Sequence, residues 1–300
     1  NFSSGSRGAR SGEYFLSSGY AVVFLQRRGS LRPYAADLPG HGSVLDCFED
    51  EAVGDSAAGD SGRPGPPVTE PPLSEAVLEA VSLHRVAVQR GRLLTVNFET
   101  VTEYLHLLRA LAIELRPFGR TALVYLSAAV SDFYVPWERL VEHKIQSSGT
   151  AGGSGEGGGG FELRLTKVPK MLGSLRREWA PEAFVVSFKL ETSAPLLESK
   201  ARRAIEEYGV HGVVANLLET RQEEVTVYSG ATFKKILRGL PGPSGGRSPK
   251  GLEKRIVTWV ITNQMSWLRA GLEERRAGQR RSARRGGPPG EEPPPGKRQK

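Results

Sequence analysis

The chain has 300 residues, room for one large domain or two smaller ones, and pairs 38% hydrophobic residues with 36 Gly and 20 Pro, the balance of a packed core interrupted by segments that cannot pack. No apolar stretch approaches the roughly 20 residues that span a bilayer, and the single cysteine, Cys47, excludes an internal disulfide framework and fits a reducing compartment. The net charge of +8 is mostly a tail property: residues 273–300 hold nine Lys or Arg against four Glu, which leaves +3 for the rest and no basic stripe to grip nucleic acid.

The opening stretch "NFSSGSRGARSGEYFLSSG" predicts a glycine-rich turn entering a helix, whose N-terminal amides favour anions. Its spacing is not G-x-G-x-x-G, so a dinucleotide fingerprint is not supported. "YAVVFLQ" (20–26) reads as a strand. "GSVLDCFEDE" then surrounds Cys47 with acid, which disfavours its thiolate, and an acidic, proline-rich linker follows at 49–72. "SEAVLEAVSLHRVAVQRG" (74–91) predicts a helix and "LLTVNFE" (93–99) a strand. "VTEYLHLLRALAIEL" (101–115) aligns Val101, Tyr104, Leu105, Leu108 and Leu111 on one helical stripe.

"ALVYLSAAV" (122–130) is a further strand, delivering Asp132 just beyond its exit, and "EHKIQSSG" (142–149) leads into a glycine tract at 149–160. "FELRLTKV" (161–168), "AFVVSFKLE" (183–191) and "GVVANLL" (212–218) add strands. "SAPLLESKARRAIEEYG" (193–209) and "KRIVTWVITNQMSWLR" (254–269) add helices, with breakers at 239–251 between them. Several strands are apolar almost throughout, as in parallel sheets covered on both faces. The expectation is an α/β fold: a Rossmann-like three-layer open sheet with helices on both faces. It would form a single domain over 1–270, with flexible insertions at 49–73, 149–160 and 239–251 and a disordered basic tail at 271–300. Ligands of such sheets sit at the carboxyl ends of the strands, where Asp132 falls.

Taken on residue type alone, the polar groups at these ends have ordinary explanations. Asp132 could cap a turn, Lys144 could be a solvated surface lysine, and Ala128 and Ala129 suit packing and close ligand approach equally. Ser3, Gly5 and Gly8 could be a simple helix cap, and Phe188 plain core. His143 and His211 show no metal-ligand spacing.

Four stretches in order change that balance: "NFSSGSRGA" (1–9), "SAAVSDFYVP" with "EHKIQSSG" (127–149), "KVPKML" with "WAPEAFVVSFKLET" (167–192), and "VVANLLETRQ" (213–222). Together they resemble the phosphopantothenoylcysteine synthetases (phosphopantothenate–cysteine ligases) of the eukaryotic monofunctional type, with related patterning over most of 1–270. The resemblance implies an acid–amino acid ligase that joins 4'-phosphopantothenate to L-cysteine in coenzyme A biosynthesis, consuming ATP with Mg²⁺. A free carboxylate is a poor acyl donor. Its attack on the nucleotide α-phosphate gives an acyl-adenylate that the cysteine amine can open, releasing AMP. Such a site must gather a triphosphate, a second phosphate and a carboxylate, which demands backbone N–H groups and cations.

Residue by residue, the resemblance implies that Asn1 contacts the pantothenate portion and serves the acyl-nucleotide step. Lys144 would neutralise charge at phosphorus. Ser3, Gly5, Gly8, Phe188 and Asn216 would bind the nucleotide, and Ala128, Ala129 and Asp132 the pantothenate arm. By residue type rather than by the resemblance, Lys167 and Lys170 add positive potential near the same edge and Arg7 is a further cation. Metal-ligating side chains are not implied, Mg²⁺ being held by phosphates. A cytoplasmic homodimer is implied, without a membrane or nucleic-acid partner, although the basic tail could serve as a nuclear address. The resemblance also implies an upstream strand, a Gly-Gly-Thr phosphate loop and an arginine ahead of Asn1, so the 300-residue chain by itself is expected to be weakly active. Two other readings stand beside the ligase: a nucleotide- or flavin-binding oxidoreductase on a similar sheet, and a non-catalytic binding protein. ATP rather than CTP rests on the resemblance alone.

Overall fold

Gly5 opens the first helix, α1 (Ser6–Ser17), with φ at 81°, a left-handed conformation that glycine adopts without steric cost. The structure is a computed structural model and describes residues 3–36, 38, 73–140, 163–238 and 251–285. After α1, β1 (Val22–Arg27) runs parallel to β2 (Leu93–Phe98), with α2 (Leu73–Gln89) as the crossover. α3 (Val101–Leu115) has the bounds its apolar stripe predicts. The Thr100 hydroxyl accepts from the Glu103 N–H at 3.1 Å and the Glu103 carboxylate accepts from the Thr100 N–H at 3.2 Å, a reciprocal cap.

β3 (Leu123–Leu126) is shorter than the apolar run 122–130, because the chain leaves the sheet at Ser127 and enters β4 (Phe133–Tyr134). β4 pairs antiparallel with β5 (Thr166–Lys167), which among the described residues is all that forms of the strand expected over 161–168. α4 (Met171–Ser174) passes into a wider turn over Leu175–Trp179, then come β6 (Phe184–Glu191), α5 (Ala194–Tyr208) and β7 (Gly212–Leu217). β8 (Glu224–Ser229) and β9 (Thr232–Leu237) form a hairpin, and α6 (Gly251–Arg285) closes the described chain.

The five-stranded sheet has the order β3-β6-β7-β8-β9, while β1 and β2 form a separate ladder. β3, β6 and β7 are mutually parallel, whereas β8 and β9 are antiparallel, so the sheet is mixed rather than all-parallel. Alternation along the parallel strands feeds two cores. Val124, Val185, Val213 and Ala215 pack with Tyr104 and Leu108 of α3 and with Leu197 and Ala201 of α5. Phe184, Val186 and Val214 pack on the other face with Phe15 of α1 and with Leu252, Ile256 and Val260 of α6. The expected α/β three-layer arrangement with helices on both faces is therefore present.

The tail differs from expectation. α6 continues past residue 271 to Arg285, in a stretch rich in Arg, Glu, Ala and Gln, which are good helix formers. Glu274 pairs with Arg120 at 2.7 Å and Arg275 with Glu182 at 3.7 Å, fixing this extension to the domain. The expected insertions, apart from their end residues Leu73 and Gly251, lie outside the described residues, as do Cys47 and residues 286–300.

Candidate active site

The amino end of α1 is wedged among three strand exits. A Cβ on Gly5 would lie 3.0 Å from the Ser30 Cβ, just after β1, and the Leu31 N–H donates to the Ser4 carbonyl at 2.8 Å. A Cβ on Gly8 would lie 3.0 Å from the Ser127 hydroxyl, just after β3. The Arg7 guanidinium donates to the Arg221 carbonyl, in the turn after β7. Only glycine permits this closeness at Gly5, where the φ is positive, and at Gly8, where a side chain would push Ser127 away. The first-turn amides of Arg7 and Gly8 have no acceptor within the helix, and the helix dipole makes that end positive. The Ser3 hydroxyl accepts from the Gly5 N–H at 3.3 Å, so Ser3 reinforces this turn.

Tyr125, Phe188 and Asn216 share the sheet face that α1 and α6 cover. The Phe188 ring meets Tyr125 edge-on at 4.9 Å, and the Tyr125 hydroxyl lies 3.0 Å from Ser11 of α1. Burial pushes the Tyr125 phenol far up, which disqualifies it as a proton carrier near neutral pH and makes it a support. Asn216 is 5% exposed. Its Nδ2 donates to the Lys189 and Val214 carbonyls at 3.1 and 3.2 Å, and its Oδ1 is buried without a partner. The Thr220 hydroxyl and Arg7 Nη1 are buried without a partner too. Such orphans cost about 1–3 kcal/mol each unless a ligand answers them, so this corner suits a polar ligand.

Ala128 and Ala129 are exposed on the segment leaving Ser127. Asp132 follows, also exposed, with its carbonyl accepting from the Val168 N–H at 2.9 Å. Through the β4–β5 pairing Lys167 stands opposite Phe133, and Lys170 precedes α4. The described residues thus bring Ser3, Gly5, Gly8, Phe188 and Asn216 to α1 and the face it covers. The segment of Ala128, Ala129 and Asp132 starts from Ser127 at the edge of that corner. Asn1, Lys144, His143, Ser147 and Ser148 lie outside the described residues.

Arg7 differs from its sequence reading. Rather than standing free for phosphate, its guanidinium reaches the Arg221 carbonyl and lies 3.9 Å from Glu253. Ser11, Tyr125, Thr220 and Glu253 were not singled out from sequence. The partners of Ser11, Tyr125 and Glu253 are distant in the chain, and nothing local in the sequence marks them. Among the described residues no group of three His, Cys, Asp or Glu could hold a metal ion. Two grooves lie elsewhere: about 490 Å³ between α3 and the β4–β5 pair, beside Leu105, Tyr134 and Met171, and about 360 Å³ between α1 and α2. Neither includes Phe188 or Asn216.

Residues 87–235 match the family model described as the DNA/pantothenate metabolism flavoprotein C-terminal domain. Over 271 residues the chain is 45% identical to phosphopantothenate–cysteine ligase 1 of Oryza sativa subsp. japonica, with 89% of this chain and 75% of that protein covered. The chain belongs to the phosphopantothenate–cysteine ligase family.

Phosphopantothenate–cysteine ligase 1 of Arabidopsis thaliana is 47% identical over 223 residues, covering 74% of this chain but only 64% of that relative's length. The Homo sapiens phosphopantothenate–cysteine ligase is 42% identical over 237 residues, covering 79% of this chain and 71% of that protein. Among solved structures, a Cab2 mutant in complex with phosphopantothenate-cysteine superposes with a TM-score of 0.74 at 33% identity, over 90% of this chain and 81% of that one. The DNA/pantothenate metabolism flavoprotein of Streptococcus pneumoniae shares the fold alone, with a TM-score of 0.51 at 15% identity. The family-model match includes Asp132, Lys144, Phe188 and Asn216, while α1 and α6 lie outside it. Among the described residues, no helix of this ligase-family chain is long and apolar enough to cross a membrane.

Proposed function

We propose that the protein ligates 4'-phosphopantothenate to L-cysteine at the expense of ATP, forming 4'-phosphopantothenoylcysteine, AMP and pyrophosphate for coenzyme A synthesis. The observation that carries this reading is the amino end of α1 wedged among strand exits, on the face holding Phe188 and Asn216, in a chain of this family.

In this reading the Arg7 and Gly8 amides, with Ser3 and the close approach at Gly5, receive the nucleotide phosphates. The Phe188 ring packs against the base. Asn216, its Nδ2 committed to two carbonyls, offers Oδ1 to a donor. An exocyclic amino group, which adenine and cytosine both carry, supplies that donor, so the choice of ATP over CTP rests on the resemblance. Asp132, Ala128, Ala129 and Asn1 hold the pantothenate arm so that its carboxylate faces the α-phosphate. The carboxylate oxygen bonds to that phosphorus, the bond to pyrophosphate breaks, and Lys144 neutralises the charge that develops. The cysteine amine then attacks the acyl carbon, AMP leaves, and the amine loses its proton.

Mg²⁺ enters with the triphosphate; no described set of side chains fits it as a resident ion, so no step is assigned to it. A cytoplasmic homodimer belongs to the same proposal. A coupled assay of the full-length protein, upstream segment included, with phosphopantothenate, cysteine, Mg²⁺ and ATP tests it. One AMP and one pyrophosphate are expected per amide formed, and absence of both overturns the ligase. Full turnover in Lys144→Ala would remove the role given to Lys144.

A further inference from the structure

We propose that Arg7 and Glu253 form a positioning pair that locks the phosphate-binding end of α1 to the base-reading end of β7. The inference rests on the ligase reading of the site and concerns two side chains outside the matched segment 87–235.

Arg7 lies in the first turn of α1, one residue before Gly8, and its side chain is only 19% exposed. Instead of pointing to solvent it turns inward and donates to the carbonyl of Arg221. That carbonyl belongs to the turn that starts directly after Asn216 and Leu217. Arg221 in turn donates to the Leu218 carbonyl, so the turn is closed on itself. One guanidinium therefore connects the helix end offered to phosphate with the strand end whose Asn216 Oδ1 is offered to a base.

Glu253 supplies what a buried guanidinium needs. It sits in the first turn of α6, 7% exposed, with a carboxylate oxygen 3.9 Å from Arg7 Nε. Tyr125 feels both charges, Arg7 favouring its ionised form and Glu253 opposing it, which places all three groups in one poorly hydrated corner. Tyr125 bonds Ser11 on the next turn of α1 and carries Phe188 on its ring. Two struts thus join α1 to the sheet: Arg7 to the turn beyond Asn216, and Ser11 through Tyr125 to Phe188. The Arg221 carbonyl and the Glu253 carboxylate hold Arg7 in this inward position, with its Nη1 left without a protein partner.

The nucleotide spans both ends of the strut, so loosening it will be felt in ATP binding before cysteine binding. The test is equilibrium binding of ATP, with KM for ATP and for cysteine, on the wild type, Glu253→Gln, and the double variant Arg7→Met with Glu253→Met. In Glu253→Gln, Kd and KM for ATP are expected to rise roughly tenfold, with KM for cysteine unchanged. Replacing both charges with apolar groups removes the unpaired-charge penalty, so the double variant should recover thermal stability. Its ATP affinity should stay weak, because the tie to the Arg221 carbonyl is gone.

Unchanged or tighter ATP binding in Glu253→Gln overturns the inference, since freeing an arginine that acted on phosphate directly would not weaken binding. A double variant that recovers ATP affinity together with stability also overturns it, by reducing the pair to a structural one. Wild-type protein that fails to bind ATP sinks the ligase reading itself, whereas wild type and variants binding alike sink only the positioning role.

Discussion

His211, which shows no metal-ligand spacing in the sequence, is consumed by packing. It sits at the amino end of β7, away from the strand exits that form the candidate site. Its ring stacks on Phe184 at 4.6 Å and meets Trp267 edge-on at 4.4 Å, while Nδ1 accepts from the Val185 N–H at 3.0 Å. Nε2 therefore carries the proton of the neutral ring. Burial first, then the nearby Arg176 and Arg120 charges, lower its pKa from 6.5 to about 4. A base held neutral in the fold but free to ionise when unfolded stabilises fully above pH 6.5. That contribution is lost as pH falls from 6.5 towards 4, on the order of 2 kcal/mol in all. Urea unfolding at pH 7 and pH 4.5 should show this loss in the wild type and a smaller one in His211→Asn, whose amide oxygen can still accept from Val185. Equal losses in both proteins would refute the assignment.

The same scale shows what sequence could not reach. Gly5 and Gly8 were legible as a close-approach turn because the absence of a side chain is itself the signal. The structural use of Arg7 was not, since nothing near it in the chain announces an acceptor at Arg221 or a counter-charge at Glu253. Asn216 was legible as a strand-end amide, but the direction in which its Oδ1 is left open depends on two carbonyls fixed by strand pairing.

At the level of elements, strong periodicity was readable and weak periodicity was not. α3 appears over the residues its stripe predicts, with Thr100 and Glu103 in the spacing of a reciprocal cap. Thr100→Ala should remove one acceptor at the start of α3 and destabilise the protein by about 1 kcal/mol, measured as a change in urea midpoint with unchanged slope. A change in slope would mean that the substitution altered more than the cap. β8 and β9 escaped the reading because it sought continuous apolar runs. "EVTVYS" alternates instead, burying Val225 and Val227 between polar neighbours, as an antiparallel strand does. The turn between them needs Gly230, whose φ is 54°, at the first central position. The strand expected through Val130 stopped at Leu126, since small residues there serve the departure towards Asp132 rather than the ladder.

For the whole molecule, α6 decides how much of the chain the fold depends on. Leu252, Ile256, Val257 and Val260 are buried against the sheet, and Gln264 receives the Tyr20 hydroxyl at 2.7 Å while donating to the Thr121 carbonyl at 3.1 Å. Beyond residue 271 the helix holds to the domain through exposed ion pairs, each worth at most about 1 kcal/mol. Deleting residues 272–300 should therefore lower the melting temperature by only a few degrees and leave ATP affinity intact, as scanning calorimetry and equilibrium binding would report. Deleting from residue 251 should prevent folding. A folded, ATP-binding protein without α6 would contradict the packing described for Glu253 and Ile256.

β9 completes the sheet with one side of its backbone bonded to β8, and it carries Lys234 and Lys235 with Arg238 just beyond. Lys235 is drawn across to Glu224 at 2.8 Å, while Lys234 stays exposed. A row of free peptide groups normally recruits strands from other molecules, and neighbouring like charges repel any copy that approaches in register. Among the described residues β9 is the last strand of the sheet, and its clustered lysines disfavour in-register pairing with another copy.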